Sequence, residues 1–371
     1  MIISKVLTIL SSPNLCGGTP KKTLDIVKRS RHKHTVYFYS KSSRPEKTAE
    51  YFEEFSNYCL CVDGTQYGRN ILKHLWELLK VVDNDHIEVV QAYFAFGGCL
   101  GAMLKIMRPK LKLVVSFVTV ISQSNRLKRA IEGLLLSTVD VAVFITKAVR
   151  TSKNSEFTSL CKKRGELIYN GSPKRDDNGT FSNKFNGFSL VYIAGFPACK
   201  NQELLVRAME IISKEENGKD VYCHFIGQGP EEARLKGLVE EKGLSDNIVF
   251  WGYQEDVGSA LNNAKLYVHP CYAEGFGIAV VEAMLAGLPV VVADQGGLPE
   301  LVEGAECGYI VPFDDAERWA EIIMRIKQDE HERYRLGMNA RKRAEEMFSI
   351  DTFVQKHDEL YSELAEKRGS I

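Results

Sequence analysis

The sequence predicts an α/β protein of two domains, each a parallel sheet covered by helices. Three observations carry that expectation. Short apolar runs alternate with longer amphipathic segments, the mark of repeated βαβ units. The chain has 371 residues, about twice the usual size of one domain. Near its middle, residues 170–187 read NGSPKRDDNGTFSNKFNG, rich in turn formers and charge without apolar periodicity, which is linker composition. Residues 1–187, linker included, are expected to form the first domain, and residues 188–371 the second.

The first-half strands are expected at 6–10, 35–39, 88–93, 113–118 and 141–145, each a run of β-branched and aromatic residues. The second-half strands are expected at 189–194, 221–226, 248–251, 266–269 and 290–293. Helices fill the gaps, among them 202–213, 231–242 and 278–286, and a last amphipathic helix is expected at 351–367.

Hydrophobic residues make up 44% and charged residues 26%, with 18 Phe and 15 Tyr, ample for two cores, so wholesale disorder is excluded. No stretch reaches the roughly 18 uncharged apolar residues that a membrane span needs. The longest candidate, 278–293, is interrupted by Glu282. The opening MIISKVLTIL reads as a strand rather than a signal peptide, which makes a cytoplasmic location the expectation. Nine cysteines form an odd set without zinc-ligand spacing, Cys59 and Cys61 being the close pair, so reduced and mostly buried thiols are expected.

A net charge of zero hides an asymmetry. Residues 1–187 carry 29 basic and 16 acidic side chains, leaving 19 and 32 for residues 188–371. A basic first half would draw an anionic membrane surface or a phosphorylated substrate. It would equally serve as a solvated face attracted to an acidic partner domain. Nucleic acid is not expected, because the basic clusters lack interleaved aromatics or a known binding motif.

In open parallel sheets, ligands bind beyond the carboxyl ends of the strands, so the segment after each strand is informative. Gly-rich loops follow at least four of them: Gly17-Gly18 after 6–10, residues 195–200 after 189–194, Gly227-Gln228-Gly229 after 221–226, and Glu274-Gly275-Phe276-Gly277 after 266–269. One such loop is weak, since Gly commonly serves a turn. Their joint placement in two linked domains points to a cleft between the domains. Gly275 and Gly277 permit close backbone approach, and a helix opening at Ile278 offers unpaired N–H groups to a diphosphate. That helix, IAVVEAMLA, is apolar on all sides except at Glu282, so the carboxylate is expected to be buried and in need of donors. Ribose hydroxyls would supply them; a core ion pair is the alternative.

These residues resemble glycosyltransferase family 4, the retaining enzymes of GT-B fold that use nucleotide-diphosphate sugars. The likeness runs from about residue 189 to 323 and rests on EGFG, AGLPVV, GGLPE and the E-x7-E spacing of Glu274 and Glu282. It implies two Rossmann-like domains facing a central cleft, with the last helix crossing back to the first domain. It assigns Glu282 to the donor ribose, and Glu274 with the amides of Phe276 and Gly277 to the sugar hydroxyls. Gly227, Gly252 and Tyr253 would border the base, and Gly17 and Gly18 would meet the phosphates. Tyr169-Asn170-Gly171 looks like the family's hinge. Two positions depart from the pattern. Phe196 stands where the family places an Arg, although Lys200 remains, and no His follows the strand at 113–118.

The mechanism implied is metal-independent transfer with retention, Lys200 and helix amides stabilising the departing nucleotide. No cofactor is implied beyond the nucleotide-sugar co-substrate, and UDP is the favoured nucleotide. The acceptor would be a growing glycan or a lipid-diphosphate-linked one in surface polysaccharide assembly, with peripheral contact to an anionic membrane. Two other readings stay open: a sugar-nucleotide epimerase of the same fold, and a non-catalytic sugar-nucleotide-binding protein. Asp83-Asn84-Asp85 resembles the metal-binding Asp-x-Asp of another glycosyltransferase fold, but it precedes a strand, at the wrong end of the sheet for a ligand, and reads as a surface turn.

Overall fold

The computed structural model describes residues 3–13, 18–41, 47–120, 126–157, 162–174 and 187–366. Its contacts divide the chain into two compact units, Met1–Gly171 with Ile350–Ile371, and Ser172–Ser349. The first division falls earlier than the 187/188 boundary expected from linker composition. Ser172 already forms a parallel bridge with Ser349, its N–H donating to the Phe348 carbonyl at 2.9 Å, so the second unit begins there.

The first unit runs β1 (Lys5–Leu10), α1 (Gly18–Arg29), β2 (Lys33–Phe38), α2 (Thr48–Ser56), β3 (Leu60–Asp63), α3 (Ile71–Asn84), β4 (Val89–Tyr93), α4 (Phe94–Met107), β5 (Lys112–Phe117), α5 (Arg126–Leu136), β6 (Val141–Phe144), α6 (Lys147–Glu156) and β7 (Arg164–Leu167). Its seven strands are parallel in the order β3-β2-β1-β4-β5-β6-β7. Burial on both faces explains why the central strands read as near-continuous apolar runs. β1, VLTIL after its first residue, has five buried positions in succession.

The second unit runs β8 (Phe188–Ile193), α7 (Gln202–Ser213), β9 (Val221–Ile226), α8 (Glu232–Glu241), β10 (Ile248–Phe250), α9 (Gly258–Asn263), β11 (Leu266–His269), α10 (Ile278–Leu285), β12 (Val290–Ala293), α11 (Leu298–Val302), β13 (Gly308–Val311), α12 (Ala316–Gln328) and α13 (Glu330–Met347). Six parallel strands lie in the order β10-β9-β8-β11-β12-β13. The strand order reverses between β8 and β11, so the loops leaving their carboxyl ends flank the topological switch point.

The last helix, α14 (Ile350–Glu366), belongs to the first unit. Phe353, Val354, Tyr361 and Leu364 join Val6, Val89, Val114 and Val141 in one buried cluster. Asp358 fixes the helix polar side, accepting from the Ser30 hydroxyl at 2.5 Å and the Arg31 N–H at 3.1 Å.

Three strands escape the sequence pattern: β3, β7 and β13, all at sheet edges. Edge strands bury less and need no apolar run; β7 is RGEL with no fully buried residue. Asp83 and Asn84 close α3 rather than forming a surface turn, and the Arg108 guanidinium clasps the Asp83 carboxylate at 2.6 and 2.9 Å. Among the described residues, no helix is long and apolar enough to cross a membrane.

Candidate active site

The loops after β8 and β11 are tied to each other. The Tyr272 N–H donates to the Cys199 carbonyl at 3.2 Å, and the Asn201 side chain donates to the Pro270 carbonyl at 3.2 Å. This lacing brings Lys200 and Glu274 together: Lys200 Nζ lies 2.5 Å from Glu274 Oε2, with both side chains about one-fifth exposed. The same Oε2 lies 3.3 Å from His269 Nε2, at the end of β11.

Burial works against the Glu274 charge, but the hydrogen bond from His269 and the Lys200 ammonium outweigh it and hold the carboxyl well below its usual range. Burial also opposes charge on Lys200, yet Glu274 raises its pKa overall. Burial lowers the pKa of His269, against the pull of Glu274, so the ring is neutral at pH 7. An ionised carboxylate only accepts, so His269 carries its proton on Nε2. Nδ1 therefore accepts from the Tyr267 hydroxyl, 3.1 Å away. A Tyr267–His269–Glu274–Lys200 chain results, ending in an ammonium.

His269, Cys271 and Glu274 also place one ligand atom each within 4.8 Å of one another, a set that could hold a metal ion. Two features oppose it. Lys200 already holds a Glu274 oxygen, and burial pushes the Cys271 thiol up to about 11, away from the thiolate a metal requires.

Backbone geometry builds the rest. Gly277 caps α10 at φ 97°, a conformation other residues adopt only with strain, and Ile278 is the first, half-buried residue of the helix. The Glu274 carbonyl accepts from the Gly297 N–H at 3.0 Å. Gly296, at φ 61°, permits this approach, since a Cβ there would stand 2.1 Å from the Glu274 carbonyl oxygen. Gly275 is buried, and Phe276, 2% exposed, packs edge-on against Phe348. Glu282, 6% exposed on α10, accepts from the Ser172 hydroxyl at 3.3 Å. Gly227 donates its N–H to the Gly252 carbonyl at 2.8 Å, joining the ends of β9 and β10, and neighbouring Tyr253 is 44% exposed.

The structure thus gathers Lys200, Glu274, Gly275, Phe276, Gly277, Ile278 and Glu282 around the switch point, and Gly227, Gly252 and Tyr253 at adjoining strand ends. Gly18 opens α1 of the first unit, and Gly17 lies outside the described residues. Sequence reasoning missed His269, Tyr267 and Ser172. A His at the carboxyl end of a strand beside the switch point was the available signal for the first. Phe196 is 1% exposed and packs against Phe225 and Phe250, so its side chain is part of the core.

Comparison with known proteins bears on the fold and on the segment that carries these residues. Residues 179–343 match the family described as Glycosyl transferases group 1. The chain is 24% identical to the N-acetyl-alpha-D-glucosaminyl L-malate synthase of Bacillus anthracis over 80% of each chain. It is 24% identical to the O-antigen biosynthesis glycosyltransferase WclY of Escherichia coli, over 97% of this chain and 98% of that one. Its fold matches the crystal structure of Anabaena HepE in complex with UDP, with a TM-score of 0.82 and 20% identity over 97% of this chain and 100% of that one. The two parallel-sheet units give the chain a GT-B fold, and its segment 179–343 is similar to the group 1 glycosyltransferases.

Proposed function

We propose that the chain transfers a sugar, with retention of configuration and without a metal, from a nucleotide-diphosphate sugar to a growing or lipid-diphosphate-linked glycan in surface polysaccharide synthesis. The observation that carries this reading is the Lys200–Glu274 ion pair beside the N-terminus of α10. UDP is the favoured nucleotide. HepE, of like fold, is described in complex with UDP, and the similar Escherichia coli protein acts in O-antigen biosynthesis.

The residues divide the work as follows. The α10 amides and the Lys200 ammonium take up negative charge that builds on the leaving diphosphate. Glu274 holds the sugar hydroxyls with the Phe276 and Gly277 amides, and keeps Lys200 charged. Glu282 binds the ribose, with Gly227, Gly252 and Tyr253 along the base. Gly17 and Gly18 are assigned to the phosphates. The acceptor hydroxyl attacks the anomeric carbon from the face the nucleotide leaves, so the C–O bond to the diphosphate breaks as the new glycosidic bond forms, the hydroxyl proton passing to the departing phosphate.

Incubation with a panel of nucleotide sugars, with and without glycan acceptors, tests the reading. One donor is expected to release its nucleotide in an acceptor-dependent way, giving an axial or equatorial linkage that matches the donor. Release of no nucleotide from any donor, or an inverted product, would overturn it.

A further inference from the structure

The close pair of cysteines in the sequence, Cys59 and Cys61, meets in the structure. Cys61 is the second residue of β3, the edge strand of the first sheet, and Cys59 stands in the bend that joins α2 to it. Their sulfurs are 3.7 Å apart and in hydrogen-bonding contact. Both side chains are half-buried, packed against the cluster that holds Leu10, Phe38 and Phe55. Side chains at i and i+2 of a strand share a face, so proximity alone would be ordinary.

The two thiols differ in chemistry, from each other and from the rest. Cys223, Cys271 and Cys307 are buried, and burial pushes all three thiols up, which leaves them protonated and inert. Cys61 is shifted the other way: a hydrogen bond from Cys59 outweighs burial, the Ser56 hydroxyl adds to it, and the thiolate is favoured. Cys59 is shifted up by the same hydrogen bond and by burial, so it keeps its proton. One sulfur is thus a nucleophile, and a second stands beside it to follow. Joining them in a disulfide, at about 2.05 Å, closes the gap by roughly 1.7 Å. Cys59 lies outside the β3 ladder, which begins at Leu60, so it can move without unpairing the strand.

We propose that Cys59 and Cys61 form a dithiol site that exchanges with low-molecular-weight disulfides of the glutathione class and closes into a disulfide of its own. The Cys61 thiolate attacks one sulfur of glutathione disulfide. That S–S bond breaks, a mixed disulfide forms on Cys61, and the departing glutathione thiolate takes the Cys59 proton. The Cys59 thiolate then attacks the Cys61 sulfur and displaces the second glutathione, which takes a proton from water. Two protein thiols are oxidised and one disulfide is reduced to two thiols. Exposed disulfides are the labile ones, so an excess of reduced glutathione reopens the pair. Every residue of the site belongs to the first unit, and the proposal is independent of the donor-site assignment.

The test equilibrates the reduced full chain in glutathione buffers of graded ratio, traps free thiols by alkylation and maps them by peptide mass. The peptide that carries Cys59 and Cys61 is expected to lose two hydrogens as oxidised glutathione rises and to regain them when the ratio is reversed. Cys223, Cys271 and Cys307 stay reduced throughout. Cys59→Ser is expected to stop at the mixed disulfide, with glutathione held on Cys61. Cys61→Ser is expected to react at least about tenfold more slowly, since it lacks the favoured thiolate. Both replacements are at half-buried positions and nearly isosteric, and unchanged urea midpoints confirm that the variants fold. A pair that stays reduced at every ratio overturns the proposal. So does a parent chain that halts at the mixed disulfide, a bond between two chains in place of one within the chain, or equal rates in the two variants.

Discussion

Lys200 Nζ and Glu274 Oε2 meet at 2.5 Å although they follow different strands, β8 and β11, on either side of the point where the strand order reverses. The pair places a cation and an anion in one partly solvated spot, each keeping the other charged. It predicts that Lys200→Ala lowers kcat about a hundredfold or more, the usual cost of one lost charge-stabilising donor. Lys200→Arg keeps the charge but not the ammonium geometry, and is expected to fall between. Steady-state kinetics of both variants check this; equal turnover in Lys200→Ala and the parent would remove Lys200 from the chemistry.

The fate of position 196 follows from the core. Restoring the family's Arg with Phe196→Arg would place a guanidinium among Phe225 and Phe250. An unpaired charge there costs several kcal/mol, so unfolding is expected at markedly lower denaturant, with no gain in activity. Phe196→Leu should lose only about 1–2 kcal/mol. A Phe196→Arg protein as stable as the parent would show that the loop can turn its side chain to solvent.

Two glycines of the site should respond differently to alanine. Both have positive φ, so each pays backbone strain of about 1–2 kcal/mol. At Gly277 the new Cβ would meet the tip of the Leu298 side chain at 2.9 Å, which can give way. At Gly296 it would strike the Glu274 carbonyl oxygen at 2.1 Å, which cannot move without carrying Glu274 along. Gly296→Ala should therefore lose more turnover than Gly277→Ala, and the kinetics of the two proteins side by side decide it.

Much of this was legible beforehand, for a physical reason. Central strands buried on both faces must be apolar throughout, so β9, β11 and β12 stand out with their true ends. Edge strands such as LCVD and RGEL bury too little to leave that mark. In the site, EGFG was readable because a helix entry at positive φ, as at Gly277, requires glycine. The Tyr267–His269 relay was not, since a tyrosine and a histidine inside an apolar strand look like core residues until the register aims them at Glu274. The burial of Phe196 was equally invisible, because loop composition does not say which way a side chain turns.

Stability should fall on acidification before the carboxylates titrate. Burial holds His34, His224 and His357 at about 4, with the neighbouring His32 adding to the effect at His34. Each stays neutral in the folded chain while its unfolded counterpart protonates below about 6.5. The unfolded state thus binds more protons between pH 6.5 and 4, and stability declines as pH falls through that window. Glu274, its folded pKa depressed, adds a further loss below the unfolded carboxyl value near 4.3. Neither ring nitrogen of His34 has a hydrogen-bond partner among the described residues. His34→Leu should accordingly flatten part of the acid slope and be neutral or stabilising at pH 7. Urea midpoints from pH 4 to 8 for both proteins test it, and an unchanged slope would place His34 outside the titration.

Glu282 separates a ligand role from a structural one most sharply. It is nearly inaccessible and takes a hydrogen bond from the Ser172 hydroxyl, so a purely structural part is physically reasonable. In that case Glu282→Gln, which keeps shape and accepts the same hydrogen bond, should leave donor KM untouched and shift only the unfolding midpoint. If Glu282 instead grips ribose hydroxyls, the charge itself matters, because hydrogen bonds to an ionised acceptor are worth about 1.5–3 kcal/mol. Donor KM should then rise roughly tenfold or more in Glu282→Gln, with a smaller change in kcat, while Ser172→Ala moves KM little. The ribose assignment predicts this second pattern, since the Ser172 hydroxyl only orients the carboxylate. Measuring KM, kcat and the unfolding midpoint on the same three proteins reads both roles at once, and a midpoint that falls while KM holds would return Glu282 to the core.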